Sequence, residues 1–561
     1  MSERHDSGWF PSEDPGEEEL AAARAGREQA KGGRAGRLAR STAFFSIATA
    51  ASRVAGLIRE IVAAGYFGVK GPMSAFTIAF QVPNLVRSLF ADAAIQAAFV
   101  PIFTEQLERG DKREAFKLAS TLIFMVALIL GAITALFILL APVVMDIFAP
   151  GYSGELFDLT VMLSQLLFPI LVLLGMTGMV VGVLNSYDRF GAFAIAPLFW
   201  NIAIIAVLVG LAPMFPEGDE IYAYAIGVLV GTVVQLAIPS FDLRNTPFRL
   251  RPVFDWRSKA VRRVLLLMLP VTISLGLINF NFQINSFFGT LIEDNTVAQR
   301  APAAIDKAFR IYMLPQGIFS VAVATVLFPT LAKFAARQEY ANLRRTMANG
   351  MRQIVFLLVP AAAAILVLSE PMIRLIYERG EFDASQTELV ATALFWFAFS
   401  LPFNGLFLLL TRTFFSLQRP WLPTSISLLN LLVTGLVSFA LYREYEVAGI
   451  VAATAVATIA SVIAQALLLR SQIGGLELRA FGATAARVAI ASAGLAVVAY
   501  FVWAGLDEVV GRGLGGQIIS VGGALLAGGT VYAAAVFAMR VPEAGQLIRL
   551  IPGRRARSRD N

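Results

Sequence analysis

Four arginines stand in stretches otherwise apolar enough to lie within a bilayer. Arg53 and Arg59 fall in STAFFSIATAASRVAGLIREIVAAGY (41–66), Arg87 in AFQVPNLVRSLFADAAIQAAFVP, and Arg310 in AIDKAFRIYMLPQGIFSVAVATVLFP. Each arginine near a bilayer centre costs about 2.5 to 3.5 kcal/mol on insertion scales, so such residues face a polar cavity or a bound anion. Guanidinium forks match phosphate oxygens bidentately, and the contact strengthens as the local dielectric falls. A diphosphate is the natural guest, with a carboxylate, or no ligand at all, as the alternatives.

Spacing refines this reading. Arg53 and Arg59 are separated by about 9 Å of helix rise and about 120° of rotation, so one cavity takes both only if the helix bends, which Gly56 permits, or lies deep in a bundle. Glu60 returns to nearly the face of Arg53, so the bland reading pairs these two while Arg59 reaches an interface. The second span adds Gln81, Asn84 and Asp92 around Pro83, a residue that breaks the backbone ladder and is tolerated against protein or a wet cavity. Arg87 with Asp92 is again open to a structural pairing. In the second half Arg310 precedes Pro315 by five residues, and Asp306 and Lys307 are expected at the outer rim, where charge is cheap. Asn279 and Asn285, with Asn281 and Gln283, either line a pathway or hydrogen-bond between helices.

Catalytic chemistry is not expected. There is no cysteine, the single histidine is His5 in a polar tail, and no phosphate-binding loop or paired-carboxylate motif appears. No metal and no cofactor is therefore expected, and no ATP site.

The elements that must position the arginines are membrane helices. The chain is 57% hydrophobic and only 15% charged, and its apolar runs of twenty or so residues are too long and unalternating for a barrel, so an all-α polytopic membrane protein of about fourteen spans is expected. Lys and Arg crowd the loops after even-numbered spans, among them Arg109, Arg189, Arg257, Arg344 and Arg470, which places both termini in the cytoplasm. The net charge of +7 follows from that bias, and nucleic acid is not an expected partner.

Two halves share a register. Pro101 and Pro329 are offset by 228 residues, while Pro142 and Pro371, Gly151 and Gly380, and Asn201 and Asn430 are each offset by 229. The expected organisation is a disordered tail (1–40), a first six-helix lobe (41–240), an amphipathic cytoplasmic linker (241–262), a second six-helix lobe (263–470), two further helices (471–540) and a basic tail (541–561). Six helices per unit put both lobes in one orientation, related by a pseudo-two-fold axis along the membrane normal around a central cavity.

The motifs SRVAGLIREIVAAGYFG, AFQVPNLVRSLFADAAIQAAFVPIFTE and AFRIYMLPQGIFSVAVATVLFPTLAKF resemble those of the MurJ (MviN) family of lipid II flippases, in the multidrug/oligosaccharidyl-lipid/polysaccharide exporter superfamily. The likeness covers about residues 40–540. It implies two lobes around a cationic cavity, a groove on the last two helices for the undecaprenyl tail, and Arg53, Arg59, Arg87 and Arg310 contributing to the lipid II head-group site. It also implies a bacterial cytoplasmic-membrane location, lipid II and membrane lipids as partners, and contact with cell-wall synthesis proteins. Exporters of another polysaccharide-linked lipid, or a non-transporting scaffold, are the rival readings. Ser74, Met313 and the Asp92-Ala93-Ala94 run depart from acidic positions of relatives.

Overall fold

The computed structural model describes residues 44, 47–90 and 93–548, and the side chains of these except 87–97, 269–279, 281, 282 and 546–548. The described chain is helical, with no strand. The helices are α1 (residues 47–67), α2 (Gly71–Phe90), α3 (Ala93–Glu108), α4 (Lys112–Leu139), α5 (Ala141–Phe148), α6 (Gly154–Leu167), α7 (Ile170–Asn185), α8 (Gly191–Leu211) and α9 (Ile221–Leu243) in the first half. The second half has α10 (Lys259–Thr290), α11 (Asn295–Pro315), α12 (Val321–Ala336), α13 (Tyr340–Tyr377), α14 (Ala384–Ser416) and α15 (Trp421–Ile473), followed by α16 (Leu478–Val510), α17 (Leu514–Ala538) and the short α18 (Pro542–Ile548).

Ten helices among the described residues are long and apolar enough to cross a membrane, against the expected count of about fourteen. Part of the difference is how the runs are divided. Helix α15 counts once although Glu446, at φ 46°, breaks it into two runs, and the second expected span is split into α2 and α3, neither of which qualifies alone.

The repeat register is visible in the element boundaries. Helix α12 begins and ends 228 residues after α3. The break between α4 and α5 at Leu140 has its counterpart in α13, where Leu368 leaves helical geometry at φ −114° and ψ 15°. In both halves a proline follows within three residues, Pro142 and Pro371, and a missing amide at that point is what keeps a long helix from running straight.

The halves meet at the end of the bundle that carries the loops poor in Lys and Arg. The Glu381 amide donates to the Gly65 carbonyl at 2.9 Å, the Val69 amide donates to Gln386 Oε1 at 2.6 Å, and the Ala303 amide donates to the buried Ser74 hydroxyl at 3.2 Å. Lys70 and Glu381 close the rim as an ion pair. Gln386 is held for this role by Asp383, which caps α14 through the Gln386 amide at 3.0 Å. Hydrogen bonds from Ser385 and from Gln386 hold the Asp383 carboxyl below its ordinary range. Beneath these contacts one apolar core runs unbroken through both halves, from Ala63, Phe67 and Phe76 to Tyr312, Tyr377 and Phe397. At the opposite, basic end the corresponding core joins α3, α4 and α7 to Val261 and Val264 of α10.

The linker between the halves is a strap rather than a helix. Residues 245–257 lie across the start of α4, where Ser120 accepts from the Arg251 amide at 3.0 Å, Thr121 bonds Val253 and Asp255, and Lys117 pairs with Asp255 at 2.8 Å. Leu250, Phe254 and Trp256 point outward among its arginines, an interfacial composition. Helices α16 and α17 pair with each other and rest on α13, fixed by Tyr532, which donates to the Phe356 carbonyl at 2.6 Å.

The seal depends on a bare backbone approach between Gly380 and Gly65. A Cβ on Gly380, at φ +62°, would stand 2.2 Å from the Gly65 carbonyl oxygen. Because the chain has no cysteine, a single Ser74→Cys reports on this contact without background. Gly380→Ala is expected to speed labelling of that cysteine by an impermeant thiol reagent about tenfold, since the strained and crowded position forces the two loops apart. Unchanged labelling would show that the seal does not rest on this approach.

Candidate anion site between the two halves

The site forms where α1 of the first half meets α11 of the second, roughly one and a half helical turns below the seal. Its centre is Glu60, only 3% exposed. Three cations converge on this carboxylate. Arg59 reaches Oε1 at 2.5 Å and Arg310 reaches the same oxygen at 3.2 Å, while Lys307 donates to Oε2 at 2.7 Å. Arg310 is also held by Asp306, one turn earlier on α11, at 2.8 Å. Three positive charges against two carboxylates leave the contiguous cluster with one positive charge in excess.

Aromatic rings stand where water would otherwise solvate these charges. The Arg59 guanidinium lies 4.6 Å from the Trp200 ring of α8, and the Lys307 ammonium 5.6 Å from the Tyr377 ring at the end of α13. Burial is graded. Lys307 is wholly enclosed and Arg59 is 6% exposed, but the Arg310 side chain is 37% exposed and Arg53 is open to its surroundings. Arg59 also keeps a buried Nε without a hydrogen-bond partner.

Arg53 approaches the second half lower down. A Cβ on Gly317 would stand 3.5 Å from Arg53 Nη1, so this guanidinium lies against the turn that follows Pro315. That turn, Gln316–Ser320, is π-helical, and it is anchored by a polar chain in which Gln316 donates to Asn404 at 3.0 Å and Asn404 donates to the Tyr312 hydroxyl at 3.0 Å. The chain fixes the α11–α12 junction on α14 and thereby sets the height of Arg310, one turn away.

Of the residues expected at a site, the structure brings Arg53, Arg59, Glu60 and Arg310 to the boundary between the halves. The Arg87 and Asn279 side chains and all of Asp92 lie outside the described residues. Gln81 meets the second half through its carbonyl, which accepts from Gln283 at 3.2 Å. Asn84 is half-buried on the same helix. Asn285 is buried between α10 and α15, accepting from Thr454 at 3.2 Å, which is a helix-to-helix bond away from the arginines.

Two expectations change. Lys307 and Asp306 are not at an outer rim; both belong to the cluster, because Glu60 and Arg310 supply the opposite charges that make burial tolerable. Glu60 pairs with Arg59, Lys307 and Arg310 and not with Arg53. A Cβ on Gly56 would stand 3.7 Å from the Asn201 carboxamide of α8, an ordinary contact, and Asn201 Nδ2 lies 3.5 Å from the Ser52 carbonyl. Trp200 and Tyr377 escaped sequence reading altogether, since an aromatic in an apolar helix carries no mark of the cation it faces. The Asp306-to-Arg310 spacing of one turn was the available signal that α11 carries a charged face.

The family model described as lipid II flippase MurJ matches residues 63–511. A probable lipid II flippase MurJ of Rhizobium tropici is 35% identical over 419 residues, covering 73% of this chain and 76% of the relative. The lipid II flippase MurJ of Burkholderia cenocepacia is 30% identical over 397 residues, covering 70% and 76%. Among solved structures, a lipid II flippase MurJ in an inward closed conformation aligns with a TM-score of 0.74 at 23% identity, covering 90% of this chain and 99% of that one. An inward-facing multidrug-resistance MATE transporter of the MOP superfamily aligns at 0.63 and 14% identity, covering 75% and 94%. The structural matches speak for the two-lobed fold, and the match of the family model to most of the sequence settles membership: this chain belongs to the MurJ family.

Proposed function

We propose that the chain is a lipid II flippase, moving the undecaprenyl-diphosphate-linked peptidoglycan precursor from the inner to the outer leaflet of a bacterial cytoplasmic membrane by alternating access. One observation carries the reading. Arginines from both halves, Arg59 and Arg310, converge on a single carboxylate oxygen, and one buried Arg59 donor is left without a partner. A diphosphate offers more oxygens and more charge than Glu60 Oε1, so it is the better acceptor for the same two forks. Arg53, lower on α1 and exposed, is placed to take the second phosphate or to guide the head group upward, and Arg87 is proposed for the same wall.

The scheme follows from which end is sealed. With both termini and the basic loops cytoplasmic, the contacts among Gly65, Val69, Glu381 and Gln386 close the outer end, and entry is between α3 and α12. An anion bridging α1 and α11 replaces the Glu60 bridge, which permits the halves to move about the α11–α12 turn. No ATP site supplies the drive. An inside-negative potential favours inward return of an unloaded cationic site by about 2.3 kcal/mol per charge per 100 mV.

Another polysaccharide-linked lipid would present the same anion and is the nearest rival. A cationic drug would not, because the exposed members of the site are arginines. A scaffold acting through the tails predicts that the arginines are dispensable.

Two measurements test this. Depletion of the protein, followed by a leaflet assay for lipid II, is expected to show loss of outward lipid II, restored by wild type but reduced about a hundredfold by Arg310→Ala or Arg59→Ala, the loss expected when a charged contact made across a dry site is removed. Normal outward lipid II after depletion would sink the flippase reading, and full complementation by both variants would sink the site. In thermal unfolding, Glu60→Ala is expected to cost about 3 to 5 kcal/mol, because it leaves buried cations without their counter-charge. Arg53→Ala, exposed as it is, is expected to leave stability within about 0.5 kcal/mol of wild type; equal losses in the two would mean that Glu60 is not the counter-ion.

A further inference from the structure

Lys307 takes no part in the scheme above, yet it is the one charged group of the cluster with no exposure at all. The Glu60 carboxylate is divided between its two oxygens. Oε2 belongs to Lys307 at 2.7 Å, and Lys307 also lies 3.4 Å from the Glu60 backbone carbonyl, whereas Oε1 is shared by Arg59 and Arg310. An entering anion can displace the carboxylate only from the Oε1 side, since Lys307 is enclosed and Arg310 is partly open.

We infer that Lys307 is a positioning residue that sets the charge of the anion the site accepts, holding Glu60 by Oε2 so that Arg59 and Arg310 are released to a dianionic diphosphate diester in preference to a singly charged phosphodiester. The inference rests on the lipid-diphosphate reading. Two physical effects support it. Breaking a buried ion pair by removing one partner is strongly unfavourable, so Glu60 stays with Lys307 when the arginines change partner. The charge count also depends on this lysine: Arg59, Arg310 and Lys307 against Glu60 and Asp306 leave one positive charge, and without Lys307 the cluster is neutral. Glu60 would then be an internal anion competing for both arginines, and a doubly charged guest would suffer more than a singly charged one.

The test uses the full chain in nanodiscs and two sugar-capped probes of fixed charge, undecaprenyl diphosphate esterified to N-acetylglucosamine (a dianion) and undecaprenyl phosphate esterified to glucose (a monoanion), with dissociation constants for each. Wild type is expected to prefer the diphosphate, and Lys307→Met to reduce that preference about tenfold. The double variant Glu60→Gln with Lys307→Met removes the competing carboxylate together with the lysine and restores the charge count, so it is expected to recover the wild-type preference. A role limited to packing would not produce that recovery. A Lys307→Met protein with the wild-type preference, or a double variant as unselective as the single one, overturns the inference. If Lys307→Met does not fold, the double variant decides alone: wild-type preference supports the inference, and loss of preference overturns it. Wild type binding neither lipid overturns the lipid-diphosphate reading, and this inference with it.

Discussion

A carboxylate carried into a membrane bundle must find its counter-charges inside the protein, and Glu60 finds three of them from two segments of chain. Desolvating such groups costs several kcal/mol each, which opposite charges at hydrogen-bond distance offset only if they are held in place. The holding is done by Trp200 behind Arg59, Tyr377 beside Lys307 and Asp306 behind Arg310. Because Glu60 belongs to α1 and both Lys307 and Arg310 to α11, the cluster is also a bond between the two halves. Gly65, which receives the Glu381 amide in the seal, lies on the same helix as Glu60, about 7.5 Å further along. A rigid helix that carries both features cannot release one without displacing the other.

The two halves repeat in backbone but not in charge. Helix α10 is the mate of α1, and at the positions that correspond to Arg59 and Glu60 with an offset of 229 it carries Phe288 and Gly289. Beyond Arg263 its polar residues are neutral, and Gln283 and Asn285 hydrogen-bond to neighbouring helices, Gln283 to α2 and Asn285 to α15. In the reverse direction, the position matching Arg310 in the first half, with an offset of 228, is Val82. The cluster is therefore one-sided: one half contributes a charged α1, the other a charged α11, and each lacks what its repeat mate has. Pseudo-symmetry supplies two similar bodies, and its violation sets this charged cluster, the proposed place for an anion, between them.

How much of this could be read from sequence depended on the range of the interaction. Apolar runs and the proline register are local or periodic, so the helical class and the two halves were legible. The arginines were legible as anomalies, because their cost in apolar surroundings does not depend on a partner. Pairings were not. A helical wheel can compare Glu60 only with residues on its own helix, and it selects Arg53; the cations that settle Glu60 include one 247 residues away. Lys307 was misplaced at the rim for the same reason, since whether a lysine can be buried depends on what waits for it.

The presence of Glu60 in the proposed anion site has a physical rationale in release. An arginine cluster with no internal counter-ion would hold a diphosphate so firmly that its affinity would have to be overcome at the end of every cycle, and its unloaded form would repel itself apart. With Glu60 in place, the proposed binding is an exchange: the arginines leave one carboxylate oxygen for the phosphate and return to it afterwards. The net gain is the difference between two charge-assisted contacts and not the whole of one, so the free energy of capture is kept small while the geometry stays specific. Such an exchange works only if the displaced carboxylate is not left bare, and the buried ammonium on its other oxygen is what prevents that.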